Sequence, residues 1–333
     1  MITIIDGWWG SGKSTLRGLL DGHPELFVSP IQDGVFGGFA AAERFQNVLE
    51  FKDLSELRKV LCGLGEYNRI EKDAWARSVF NAASGDSWDY GGFNFDFYAF
   101  DRSFISKVMA LKSWDAEQLV EILYSTMLEF WKEFESDADM IKGYVSMDNN
   151  LGRTAEFIVA HAPNTKYIWV DRSSADIVAV HVKRKPITGN LGTKGWGSHS
   201  VRGLIRSGYV ARHERRRNEI LNLQAAHTDR VLVVALEDLV ERNEATMLRV
   251  ADFIGIRYLP ILNQYTYAGK PFPGSNAYVG KLNDTAATIL DDEERRMIAR
   301  EVRAHELGRL SFRNNYRRLR RSVGALIRSL SEA

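Results

Sequence analysis

Five short apolar runs stand apart from the rest of the chain. Ile2-Thr3-Ile4-Ile5, Tyr167-Ile168-Trp169-Val170 and Val231-Leu232-Val233-Val234 are the strongest; Leu26-Phe27-Val28 and Gly143-Tyr144-Val145-Ser146 are weaker. They lack regular alternation with polar residues, the pattern of strands covered on both faces. Helical spacing of apolar residues fills the gaps between them: one stretch follows Lys13, and others cover 116–134, 151–160, 175–183, 200–226, 244–254 and 291–303. Strand followed by helix implies a parallel sheet with helices on both faces. The expected fold class is α/β, a three-layer sandwich around a central parallel sheet of about five strands. The stretch from Phe36 to Phe134 reads as a mostly helical insertion after the second strand. With no repeat and no low-complexity linker, the organisation expected is one domain over 1–308 and a basic amphipathic helix over 309–333.

Composition narrows the class without naming a chemistry. The chain has 333 residues, 44 Lys plus Arg against 43 Asp plus Glu, and a formal net charge of +1. That balance disfavours an obligate nucleic-acid binder, which carries a basic excess. Hydrophobic residues at 45% and charged residues at 26% exclude wholesale disorder. No apolar run reaches the length of a spanning helix, and Asp6 and Gly7 interrupt the N-terminus too early for a secretory signal. One cysteine, Cys62, allows neither an intrachain disulfide nor a Cys-based zinc site. It sits among Val60, Leu61 and Leu64 and reads as core. A cytoplasmic, reducing compartment is expected.

The sharpest chemical signal follows the first apolar run. Gly7-Trp8-Trp9-Gly10-Ser11-Gly12-Lys13-Ser14 fits G-x-x-x-x-G-K-[ST] without mismatch and opens a helical pattern. Glycines let the backbone wrap closely around an anion. Amide N–H groups and the helix N-terminus then point at phosphate oxygens, and Lys13 adds a mobile positive charge. The chain is therefore expected to bind a phosphorylated nucleotide. The motif does not say which one.

Three further segments bear on that choice. They are Leu20-Asp21-Gly22-His23-Pro24-Glu25, the run from Ala162 through Asp171-Arg172 to Asp176, and Val231–Leu239 with its Glu237-Asp238-Leu239 end, closing at Phe253-Ile254-Gly255. In this order and spacing they resemble the PAPS-dependent sulfotransferases, which use 3′-phosphoadenosine-5′-phosphosulfate as sulfuryl donor. The resemblance spans residues 2 to about 285, with 36–134 unmatched. It implies that Gly10, Ser11, Gly12, Lys13, Ser14 and Thr15 hold the 5′-phosphosulfate, with Lys13 also stabilising the leaving group. It implies that Arg172 binds the 3′-phosphate, a task suited to a planar guanidinium fork. Lys281, after Phe272-Pro273-Gly274-Ser275-Asn276, would close over a phosphate. No metal is expected.

The chain departs from the family pattern at three points. The family's cation stands at the position of Gly10, and its Thr at that of Lys13. Its Ser partner for the Arg is Val180 here, with His181 or Lys183-Arg184-Lys185 as substitutes. An intact loop of this kind, with Asp171 ending an apolar run, is also what an ATP- and magnesium-dependent P-loop kinase shows, with Ser14 and Asp171 organising the metal. The Glu237-Asp238-Leu239 block favours the sulfotransferase. Asp238 itself reads as an N-cap or a supporting contact.

A base must take the acceptor's proton. Asp33, in Ser29-Pro30-Ile31-Gln32-Asp33-Gly34, lies past the second strand, where open sheets place ligands; capping its own turn is the competing role. His23 reads as structural. Ser87–Asp101 is dense in aromatics and acids and suits either a glycan cleft or, preferably, local packing. The tail carries Arg309, Arg313, Arg317, Arg318, Arg320, Arg321 and Arg328 among apolar residues, fitting an anionic membrane at the inner face, the body of the protein, or a second copy in a homodimer. The partner expected is a small-molecule, lipid or glycan acceptor, and no nucleic acid.

Overall fold

A computed structural model of the chain describes residues 1–32, 36, 45–57, 97–130, 138–148, 151–183, 200–267, 269–271, 282 and 285–307. Five strands form one parallel sheet: β1 (Ile2–Gly7), β2 (Leu26–Gln32), β3 (Gly143–Met147), β4 (Lys166–Asp171) and β5 (Val231–Ala235). Their spatial order is β2-β3-β1-β4-β5. All five expected apolar runs are strands, and every strand is parallel to its neighbours, so the three-layer α/β class holds. A separate antiparallel pair, β6 (Thr266–Tyr267) and β7 (Lys270–Pro271), follows.

The chain divides into two compact units, Met1–Arg172 with Ile220–Asn283 and Ser173–Glu219 with Asp284–Ala333. The first holds the sheet. Helix α1 (Lys13–Leu20) packs Leu16, Leu19 and Leu20 with Ile5, Val145, Ile168, Val170 and Val234 of four strands. The same cluster takes in Leu239 and Val240 from α9 (Leu236–Glu241) and Met247, Val250 and Ile254 from α10 (Asn243–Ile254). Successive strand residues face opposite ways. Tyr144, next to Val145, therefore lies on the other face, where its ring stacks 6.1 Å from Tyr124 of α4 (Ala116–Phe130). Both faces are covered, which is why the runs carry no polar alternation.

Between β2 and β3 lie the helices α2 (Phe45–Phe51), α3 (Phe97–Met109) and α4. The aromatic segment 87–96 lies outside the described residues. Its continuation opens α3, where Phe100 is buried against Phe104 and Phe130 while Tyr98 is 75% exposed. Two helical stretches differ from expectation. The one at 151–160 begins only at Ala155 as α5 (Ala155–His161), because Leu151 and Gly152 adopt left-handed φ of 56° and 78°. For Leu151 that conformation costs about 1–2 kcal/mol.

The second unit contains α6 (Ser174–Lys183), α7 (Val201–Arg206), most of α8 (Tyr209–Ala226), α11 (Ala286–Ile289) and α12 (Asp292–Glu306). The single helix expected over 200–226 is broken between α7 and α8, where Gly208 turns the chain at φ 74°. Asp291 closes a capping box with Glu294 at the start of α12. Between α6 and α8, Ser174 hydrogen-bonds both His213 and Glu214, and His181 pairs with Tyr209.

Candidate active site

The strand order places one point of reversal in the sheet. The connection leaving β1 leads to the β2 edge, whereas those leaving its neighbours β3 and β4 lead toward β5. Such a reversal opens a crevice beyond the C-terminal ends of the strands, where open α/β sheets hold ligands. The G-x-x-x-x-G-K-S loop leaves β1 at this point, and Arg172 follows directly on β4.

The loop is built by its glycines. Gly10 and Gly12 have φ of 88° and 93°, and the Ser11 N–H donates to the Trp8 carbonyl at 3.0 Å. A Cβ at Gly12 would overlap Leu236 Cδ1 and come within 2.9 Å of Cδ2; at Gly7 it would overlap Ser11 Oγ and come within 2.8 Å of the Val170 carbonyl. Gly12 is the N-cap of α1 and supplies no side-chain cap. The helix N-terminus is thus turned on whatever the loop encloses, with the partial positive charge that favours an anion. Ser11 is 1% exposed, and its hydroxyl has no hydrogen-bond partner among the described residues. A buried hydroxyl left so is costly unless a ligand or water completes it. The donor set therefore fits a phosphate or sulfate group.

Lys13 lies inside the loop. It is 7% exposed, and its Nζ donates to the Gly7 carbonyl at 3.3 Å. Ser14 and Thr15 complete the first turn, with the Thr15 N–H on the Gly12 carbonyl at 2.8 Å and the Ser14 hydroxyl donating to Met147 Sδ at 3.7 Å. Arg172 is buried, and its Nη1 donates to the Gly10 carbonyl at 3.0 Å. The fold thus brings to the loop a guanidinium 162 residues away in sequence.

Three carboxylates end the three adjacent strands: Asp6 on β1, Asp148 after β3 and Asp171 on β4, all buried. Asp148 accepts from the Thr154 hydroxyl at 2.9 Å. Asp6 accepts from the N–H groups of Gly7 and Gly152, each at 2.7 Å, and from the Tyr167 hydroxyl at 3.0 Å. Burial raises its carboxyl above the usual carboxylate range, and the Lys13 ammonium and the three donors oppose that rise. The roles of Asp6 and Asp148 were not legible in the sequence. A polar residue interrupting or ending an apolar strand was the only local signal.

His23 is structural, as expected. Its Nδ1 accepts from the Glu25 N–H at 3.2 Å, so Nε2 carries the hydrogen and donates to the Arg257 carbonyl at 2.9 Å. Burial lowers its imidazole below the ordinary value, and the Arg257 carbonyl opposes this. Asp238 is not an N-cap: Ala235 holds that place, and Asp238 is the third residue of α9, its carbonyl accepting from Thr246 Oγ1 at 3.0 Å. His181, a candidate substitute for the missing serine, is engaged by Tyr209. Asp33, Cys62, Lys281, Arg184, Lys185 and the tail 309–333 lie outside the described residues. Among the described residues no group of three or more His, Cys, Asp or Glu side chains is placed to hold a metal ion, and no helix is long and apolar enough to cross a membrane.

A family model described as the sulfotransferase family matches residues 72–260, more than half of the chain. Among solved structures, the chain is similar to a sulfotransferase domain from the curacin biosynthetic pathway (18% identity, 90% of this chain and 96% of that one, TM-score 0.45). It is also similar to the sulfotransferase domain of the Synechococcus PCC 7002 olefin synthase (18% identity, 88% of this chain and 86% of that one, TM-score 0.45). No curated protein matches the chain.

Proposed function

Because the chain belongs to the sulfotransferase family, we propose that it moves a sulfuryl group from PAPS to a hydroxyl or amine of a glycan, lipid or natural-product acceptor. The observation that carries the donor assignment is the meeting of Arg172 with the phosphate loop at the sheet's point of reversal. Two cationic groups on the loop, Lys13 at the Gly7 carbonyl and Arg172 at the Gly10 carbonyl, suit a nucleotide phosphorylated at both its 5′ and 3′ positions.

On this reading the amides of Gly10 to Thr15 and the Ser11 hydroxyl seat the 5′-phosphosulfate. The guanidinium of Arg172 grips the 3′-phosphate. The acceptor oxygen or nitrogen attacks sulfur in line, and the bond from sulfur to the bridging oxygen breaks. Negative charge then collects on the 5′-phosphate of the departing 3′-phosphoadenosine-5′-phosphate. Lys13 and the loop amides stabilise it, and preorganised donors of this kind are worth about 3–4 kcal/mol each. Asp33 is the proposed acceptor of the proton, a role worth about 10²–10⁴-fold. Lys281 is the proposed closing cation.

Titration calorimetry in the presence of a chelator tests the donor. Saturable binding of 3′-phosphoadenosine-5′-phosphate without magnesium is expected. Binding of ATP that requires magnesium, with no response to 3′-phosphoadenosine-5′-phosphate, would replace this reading with the kinase.

A further inference from the structure

Asp6 has no part in the transfer steps above, yet it is the most completely enclosed charge at the site, at 0% exposure on the central strand. A buried carboxylate persists where hydrogen-bond donors, a counter-charge or both compensate its burial. Here the donors come from three separate segments. Oδ1 accepts from Gly7, the first residue of the phosphate loop, and Oδ2 accepts from Gly152 in the β3–α5 turn and from Tyr167 on β4. The counter-charge is Lys13. Gly7 is gripped on both sides, its N–H by Asp6 and its carbonyl by Lys13.

The β3–α5 turn needs such a hold. Leu151 and Gly152 are consecutive left-handed residues, and a non-glycine residue keeps that conformation only where its surroundings over-determine it. The Asp148–Thr154 hydrogen bond closes the turn across its two ends, and Asp6 holds the Gly152 amide within it. The turn leaves the C-terminal end of β3, beside the loop that leaves β1.

We propose that Asp6 is a positioning residue that fastens the phosphate loop to the β3–α5 turn, so that filling the loop with an anion tightens the turn. With Lys13 at the Gly7 carbonyl, the carboxylate shares its charge between the ammonium and the three donors. An anionic ligand draws the ammonium toward itself. Asp6 then acts on Gly7, Gly152 and Tyr167 alone, and hydrogen bonds to a less neutralised carboxylate are stronger. The donor's arrival thereby firms the backbone at the neighbouring strand end before an acceptor is engaged. The coupling rests on the donor reading above for the identity of the natural ligand, and on the geometry alone for its existence.

Hydrogen exchange of the full chain, followed on peptides covering 148–154 with and without 3′-phosphoadenosine-5′-phosphate, tests it. Bonds to a carboxylate relieved of its counter-charge gain up to the difference between a neutral and a charge-assisted hydrogen bond, which corresponds to exchange slower by up to about five-fold in the filled state. Asp6→Asn offers one acceptor oxygen where two are used, so it cannot serve Gly7 and Gly152 together; its turn is expected to exchange faster than wild type and to ignore the ligand. Lys13→Met leaves Asp6 in place, and its turn is expected to be slow without any ligand. A wild-type turn indifferent to bound ligand, an Asp6→Asn turn that responds as wild type does, or a Lys13→Met turn no slower than empty wild type would each overturn the coupling. Calorimetry run alongside separates the two ideas. If 3′-phosphoadenosine-5′-phosphate does not bind at all, the donor reading fails, and the exchange measurement is read with inorganic pyrophosphate, where an unmoved turn again overturns the coupling.

Discussion

Gly12→Ala is the substitution that reads the loop most directly. The residue sits at φ 93°, where a side chain costs about 1–2 kcal/mol in the left-handed region. The new Cβ also overlaps Leu236. Leu236 is buried in the core cluster with Leu239, Val240 and Met247, so it has little room to retreat. Overpacking of this kind typically adds about 1–3 kcal/mol. Together the two effects predict a loss of about 2–5 kcal/mol of stability, read as a lower denaturant midpoint. Displacing the loop also moves the N–H groups off their target, so affinity for 3′-phosphoadenosine-5′-phosphate falls with it. Combining Gly12→Ala with Leu236→Ala makes the source visible. The overlap is removed in the pair and the backbone strain is not, so the double variant is expected to be about 1–3 kcal/mol less destabilised than the summed single changes. A Gly12→Ala protein as stable as wild type, or strict additivity in the pair, would refute the steric account of the loop.

Three other expectations follow from named contacts. Arg172→Ala should weaken 3′-phosphoadenosine-5′-phosphate about 10–100-fold, the worth of a charged hydrogen bond, while leaving AMP binding nearly unchanged; an equal loss for both ligands in calorimetry would show that Arg172 serves Gly10 and the loop, not the 3′-phosphate. Glu25 is buried with Lys142 and Arg257 on its oxygens, and hydrogen bonding to Lys142, with Arg257 adding to it, holds its carboxyl down at about 2. A depressed carboxyl stabilises the fold above its ordinary value of 4.5 and loses that contribution as pH falls toward 2; Glu25→Gln should flatten this part of the stability profile, and an unchanged acid limb would contradict it. Arg230 donates to the carbonyls of Ile158, Val159, Ala162 and Thr165 at the end of α5. Arg230→Met should cost about 2–4 kcal/mol in denaturant unfolding, since it orphans several of them at once, and a loss below half a unit of that scale would mean the carbonyls find other partners.

Much of this architecture is written locally. Five apolar runs without polar alternation mark doubly covered strands, because a strand's burial depends on its own side chains. The turn between β1 and α1 is equally local: glycines at 10 and 12 take up left-handed angles, and Lys13 starts the helix. What local pattern misplaced were helix limits set by single backbone angles. Leu151 and Gly152 delay α5, and Gly208 divides α7 from α8.

Other features exist only once distant segments meet. The order β2-β3-β1-β4-β5 is chosen by which faces pack together, and no run of residues states its neighbour. Arg172 reaches Gly10, and Asp6 gathers Gly152 and Tyr167, across 146 to 162 positions of chain. Asp6 looks like an ordinary strand-end acid when read in sequence. Its enclosure by three donors and an ammonium arises because β3 and β4 flank β1, and a buried charge takes its properties from what surrounds it. Sequence determined the elements and the glycine-built turn after β1; tertiary packing decided which distant groups stand around that turn, since long-range contacts follow from the burial of whole faces and not from the identity of any single residue.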